Sequence, residues 1–320
     1  MGPANPQPIS RSQSEFLIAS IERITDDPRA GIFGPGSVSW KINREAALFL
    51  GAGRAALLQL AHPWVAAALE QHSSLMARPI ARFHSTFRIV FTMIFGSLGQ
   101  ATAAAQHLYQ LHTRIEGEMP EDVARWRRGE HYQANEIAAL RWVYATLIES
   151  AVLAYETVMP RLRPEELAGY YAESRTLAGL FGMSGEALPP DWEGFLRYCR
   201  AMEQSDELGV SARAREMAHG LLRGAGSWIK PPQWYCALTA AWLPERLRAE
   251  FGLRFGDAEE HSVAHAREWL PKWYRRLPVA ARFVGPWHEA QARLRGRPAG
   301  LVARASNRFW IGQGRMPFGQ

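Results

Sequence analysis

The sequence predicts an all-α protein, and three observations carry that expectation. No stretch sustains the period-two alternation of a half-buried strand. Apolar residues instead recur at three- and four-residue steps over several segments. Prolines also stand where helices begin, as Pro63, Pro164, Pro232 and Pro244 do, a position at which the missing amide hydrogen costs nothing. A chain of 320 residues with 47% hydrophobic content can bury a large core. The expected organisation is a mobile segment over residues 1–11 and a single helical domain over residues 12–320.

Taken in order, a short helix is expected over residues 12–25, with Phe16, Leu17 and Ile21 on one side. The stretch around Gly34-Pro35-Gly36 reads as a turn-rich loop. A helix over residues 43–60 follows, in which Gly51 and Gly53 would permit close approach of a neighbour. Pro63 opens the next helix, through residue 76. Two helices over residues 82–117 break near Phe95-Gly96-Ser97, and a long one spans residues 135–158. Pro164-Glu165-Glu166 starts another, with acids favouring the helix dipole. Asp191 is placed as an N-cap. Further helices begin at Pro232, Pro244, Asp257 and Pro278, with kinks expected at Pro271 and Pro286.

The central pair of helices draws attention. On the first, Arg82 and Thr86 are four residues apart and share a face. On the second, Leu98, Ala101, Ala105, Leu108, His112 and Ile115 form an apolar stripe with a histidine inside it. Such a histidine is either a core residue bonded to its neighbours or a ligand, and periodicity by itself favours the first. Facing helices of this kind can enclose a flat apolar cofactor.

Five motifs extend the reading: GPGSVSWKINRE from Gly34, LLQLAHPWVAAALEQHS from Leu57, RFHST from Arg82, HTRIEG from His112 and RWVYATLIES from Arg141. Their order and spacing over residues 34–158 resemble the all-helical b-type haem oxygenases, the family of the latex-clearing rubber oxygenases and the oxygenase of mycophenolic acid synthesis. The resemblance implies haem b as cofactor and His112 as the proximal ligand to its iron; the helix leaves the second ring nitrogen free to bond a carbonyl one turn earlier, near Leu108. It implies that Arg82 and Thr86 hold a propionate or orient dioxygen, with Ser85 and Tyr144 also at the cofactor. Two departures stand out. The rubber oxygenases have a lysine where this chain has Ser85, which implies an open distal position. Many relatives carry a histidine at the place of Tyr144. The function so implied is an oxygenase that uses dioxygen on an apolar, unsaturated small-molecule substrate. The alternatives are a non-enzymatic haem-binding or gas-sensing protein, and a haem-free interaction protein with His112 in its core.

Other signals exclude more than they suggest. His261 and His265 lie four apart, but HSVAH lacks the glutamate of the zinc-protease motif and reads as a solvated face. His62 and His72 read as capping or surface residues. Cys199 and Cys236 are isolated, which excludes iron–sulfur ligation and fits thiols in a reducing compartment. The N-terminal residues show no secretory signal, and Arg88, Arg141 and Glu149 interrupt the longest apolar runs. The expected location is the cytoplasm, with no transmembrane segment and no nucleic-acid partner. The Arg-rich stretch from Arg293 reads as a solvated surface with snorkelling arginines.

Overall fold

A computed structural model describes residues 7–73, 78–227 and 230–318 of the chain. Among these residues it contains sixteen α-helices, two 3-10 turns and one two-stranded hairpin, which is an all-α architecture. The helices are α1 (Arg11–Ile24), α2 (Val38–Asn43), α3 (Ala52–Leu60), α4 (Pro63–His72), α5 (Pro79–Phe95), α6 (Leu98–His112), α7 (Ile137–Val158) and α8 (Pro164–Leu180). They continue with α9 (Trp192–Gln204), α10 (Ala212–Arg223), α11 (Gln233–Ala241), α12 (Glu245–Glu250), α13 (Asp257–Tyr274), α14 (Val279–Arg282), α15 (Gly285–Leu294) and α16 (Leu301–Ile311). Between α6 and α7, β1 (Glu116–Glu118) pairs antiparallel with β2 (His131–Gln133).

The long helix α7 forms the centre. It packs against α3, the 3-10 turn over Ala46–Gly51, α13 and α9. By length and composition α7 could cross a membrane, but most of its side chains are buried against these neighbours, as in a core helix. Glycine lets the 3-10 turn approach it. A Cβ on Gly51 would lie 2.5 Å from the Ser150 carbonyl oxygen, and one on Gly53 would lie 2.5 Å from the Thr239 hydroxyl. The close approach expected at both glycines is therefore real.

One tertiary contact accounts for two departures from the predicted elements. The helix expected over residues 43–60 is broken, because Glu45 leaves the helix and pairs its backbone with Phe283. Its buried carboxylate meets Arg282 at 3.0 Å and accepts from the Tyr274 hydroxyl at 2.9 Å. The same pairing extends Phe283 and Val284, so the helix expected from Pro278 splits into α14 and α15. Pro286 then lies in the first turn of α15 and causes no kink.

Three further expectations change. Within the segment expected to be mobile, Ile9 is buried and its amide donates to the Asn135 carbonyl at 2.9 Å; residues 1–6 lie outside the described residues. The helix from Pro63 ends at His72, and the expectation for residues 74–77 also lies outside them. The Arg-rich stretch is not uniformly solvated. It contains α16, which packs on α5 and α15 and buries Ala303, Asn307 and Ile311. Asp191 caps α9 as expected, accepting from the Gly194 amide at 2.7 Å.

A buried charge cluster fastens α3, α7 and α9. Arg54 is 4% exposed. Its guanidinium meets Glu149 at 2.7 Å and Glu203 at 3.2 Å, and donates to the Ser150 hydroxyl at 3.1 Å and the Trp242 carbonyl at 2.9 Å. Burial, aided by the Glu149 charge, pushes Glu203 up to about 7 although Arg54 opposes the shift. The folded chain then holds a proton on Glu203 that the unfolded chain has released. Stability contributed by that proton is present below the ordinary glutamate range and is lost as pH rises through about 7. Stability in urea is expected to fall by roughly 1–3 kcal/mol between about pH 5 and about pH 8 from this group. Glu203→Gln should flatten that part of the profile, and an unchanged slope would show that Glu203 is not its source.

Candidate functional site

The site grows from the α5–α6 hairpin. Ser97 caps α6 by accepting from the Gln100 amide, and the Gln100 side chain returns to the Ser97 amide, so the turn is closed by a capping box. Gly96 is required there because a Cβ would lie 2.3 Å from the Thr92 carbonyl oxygen. The two helices run antiparallel from this turn. Arg82 lies fourteen residues before Gly96 and His112 fourteen after Leu98, each about 21 Å from the turn at ~1.5 Å per residue. That equality brings Arg82 opposite His112.

His112 is the last residue of α6 and is half-buried. Its imidazole is lowered to about 4, first by desolvation and then by the positive charge of Arg82. It is therefore neutral near pH 7 and has a nitrogen lone pair to offer. Among the described residues its ring makes no hydrogen bond, and the bond the helix left open to the Leu108 carbonyl is not formed. A helical carbonyl at that position already accepts the amide four residues on.

Arg82 retains an exposed surface, yet desolvation lowers its guanidinium from its ordinary value. Protein surrounds it on several sides while water still reaches it, which describes a side chain in an open crevice. Among the described residues it has no carboxylate or carbonyl partner. Thr86, one turn on, donates its hydroxyl to the Arg82 carbonyl at 3.1 Å and keeps its lone pairs free.

Thr86 also stands at one wall of a cavity of about 60 Å³ between α5, α7, α8 and the α3 region. That volume lies well below the ~300–1,000 Å³ of ligand pockets, so a bulky ligand would need the walls to move apart. Phe87, Val90 and Ile94 continue the α5 wall, and Leu147, Ile148 and Ala151 face them from α7. The surface is overwhelmingly apolar. Tyr144 contributes its ring, while its fully buried hydroxyl donates to the Ser174 carbonyl at 2.6 Å. Burial holds that phenol far above its ordinary value, so it stays neutral. Ser85 is half-buried, outside the cavity wall, and has no hydrogen bond.

The remaining histidines are placed elsewhere. His84 Nε2 donates to the Phe309 carbonyl at 2.9 Å and so faces α16. His62 is buried beside Trp126, with its imidazole depressed to about 3 by desolvation and by Arg125. His72 Nε2 donates to the Glu116 carbonyl at 2.9 Å. His107 is exposed against Phe318. On α13, His261 and His265 are exposed, and His261 Nδ1 donates back to the Asp257 carbonyl.

Sequence reading missed an aromatic wall. Trp310 of α16 stacks on Phe49 with ring centroids 4.1 Å apart, and Phe49 meets Phe87 at 4.7 Å. Only the spacing of Phe83, Phe87 and Phe91 on α5 hinted at it; nothing local linked it to residues 49 and 310.

The family model for the catalytic domain of the ER-bound oxygenase mpaB/B′ and rubber oxygenase matches residues 40–283. No curated protein and no solved structure matches the chain. The match covers both α5 and α6, the full cavity wall on α7 and α8, and the Arg54 cluster. This chain belongs to the mpaB/rubber-oxygenase catalytic-domain family, a family of oxygenases.

Proposed function

We propose that the protein is a b-type haem-dependent oxygenase acting with dioxygen on an apolar, unsaturated small molecule. The observation that carries this reading is the pairing, across one crevice, of a neutral unbonded imidazole with an unpaired guanidinium. Rubber oxygenases, which belong to this family, depend on haem. The donor set here fits that group. Among the described residues, no three His, Cys, Asp or Glu side chains converge. His112, with its neutral ring, would hold the iron of such a group, and Arg82 and Thr86 would meet the group's polar edge.

When bound, haem supplies an iron that can take up and activate dioxygen. The chain's own residues supply the rest. His112 offers a lone pair that no proton occupies near pH 7. Arg82 provides a cation for a propionate, or hydrogen-bond donors toward an oxygen atom. Thr86 can donate to the same region after releasing the Arg82 carbonyl. The apolar walls from α5 and α7 exclude water and favour a hydrocarbon. Ser85, with its hydroxyl one carbon from the backbone, would leave room for a small ligand beside such a group. Tyr144 shapes the wall through its ring, since its phenol is engaged and neutral.

Purified protein supplied with haem should show a Soret band and consume oxygen in the presence of an alkene. Absence of the band at full helical content would end the reading, and a band without alkene-dependent oxygen uptake would replace the oxygenase with a haem-binding protein. Arg82→Ala and Thr86→Ala should preserve the fold, because neither side chain is packed in the core. Each should lower haem occupancy or turnover, by roughly tenfold for the charged Arg82 contact and by less for the neutral Thr86 hydroxyl. Full occupancy and turnover in both would remove these two residues from the site.

A further inference from the structure

Two observations meet on α16, and neither is used by the chemistry above. The first is charge. From Ala290 to Phe318 there are six arginines and no aspartate or glutamate, so this stretch carries as much positive charge as the chain's whole formal net of +6. Arg295, Arg297, Arg308 and Arg315 are exposed, and among the described residues their guanidinium groups make no hydrogen bond or ion pair. The second is the outer face of the helix. Leu301 is 77%, Val302 55% and Phe309 50% exposed. With Ala305 they follow helical spacing and form one stripe. The inner face is fully used: Ala303, Asn307 and Ile311 are buried, and Trp310 stacks on Phe49.

We propose that α16 is an interfacial helix that docks the protein on an anionic lipid bilayer. A bilayer of that kind meets both halves of the surface, with phosphates for the arginines and an acyl boundary, about 5–10 Å deep, for the apolar stripe. A second copy meets neither half well. A two-fold contact would set arginines against arginines, and the patch contains no acid to pair with them. Nucleic acid would satisfy the arginines but leave Leu301 and Val302 facing phosphate and water.

Docking there has a consequence for the cavity. His84 and Arg88 of α5 donate to the carbonyls of Phe309 and Ile311 at 2.9 and 3.2 Å, which ties α16 to the helix that carries Thr86. From the inner face, Trp310, Phe49 and Phe87 lead ring by ring to the cavity wall. An apolar compound dissolved in the bilayer would thus lie beside the aromatic side of the cavity. The docking itself does not depend on haem, and its test uses lipid alone.

The full chain should float with phosphatidylcholine vesicles that contain phosphatidylserine and should bind vesicles of phosphatidylcholine alone far less. Added salt should weaken the binding. Replacing Arg295, Arg297 and Arg308 by Gln should lower the partition coefficient on anionic vesicles roughly a hundredfold, at about fivefold per cation. Leu301→Ser with Phe309→Ser should lower it on both kinds of vesicle. All five positions are exposed, so unchanged circular dichroism and melting are expected and would certify the comparison. Failure of the native chain to float would overturn the proposal, as would flotation that survives both sets of changes. A lipid-free dimer abolished by the serine variant would also overturn it, in favour of self-association.

Discussion

Replacing His112 by Ala should abolish stable haem binding while leaving the helical fold intact. His112 is half-buried at the end of α6 and its ring has no hydrogen-bond partner among the described residues, so its removal opens no core cavity and strands none of them. What it removes is a neutral ring nitrogen that faces Arg82. Changes to groups that merely support a metal ligand typically cost about 10–100-fold in affinity, and loss of the ligand itself should cost more. The measurement is a haem titration followed at the Soret band, with exogenous imidazole as a rescue. Native affinity and an unaltered spectrum in the variant would place the iron ligand elsewhere. The other histidines make that outcome testable, since His62, His72 and His84 are held in separate surroundings.

The largest effect on stability is expected at Arg54. Arg54→Ala leaves Glu149 and Glu203 close together without their shared cation and orphans the Trp242 carbonyl and the Ser150 hydroxyl. Breaking a buried pair by removing one partner costs about 3–5 kcal/mol, and two carboxylates share this one. Urea unfolding should show a loss of that size, with part of it recovered when Glu149→Gln and Glu203→Gln are added. A loss below about 1 kcal/mol would mean that water already screens the cluster. Ser150 lines the cavity, so the damage should also reach the pocket. Binding of an apolar probe to the unfolding-resistant fraction should weaken along with stability.

The parts of the site that could be read from sequence are those written in local spacing. Arg82 and Thr86 share a face because they are four apart. His112 stands at the same distance from the Gly96-Ser97 turn as Arg82, so the hairpin alone brings them opposite each other. The prolines marked helix starts for a similar reason, since a missing amide costs least there. What escaped lies between residues far apart in the chain. The Glu45–Phe283 pairing broke two predicted helices, because a buried carboxylate held by Arg282 and Tyr274 outweighs the small preference of Arg44 and Glu45 for helix. The absent His112–Leu108 bond escaped because ring orientation depends on what fills the crevice beside it.

By itself, then, the sequence determined the all-α class, the hairpin that carries the candidate ligand, and the family to which the chain belongs. These follow from periodicity, turn chemistry and motif order, all of which act within a few residues or along a single helix. Tertiary structure alone decided that α16 covers α5, that Trp310 reaches Phe49, and that Arg54 gathers Glu149 and Glu203. It also decided that the phenol of Tyr144 is committed to Ser174 while the imidazole of His112 is left free. The physical reason is common to all of them. Burial and pairing set the charge and the availability of a side chain, and both depend on neighbours that the local sequence does not name.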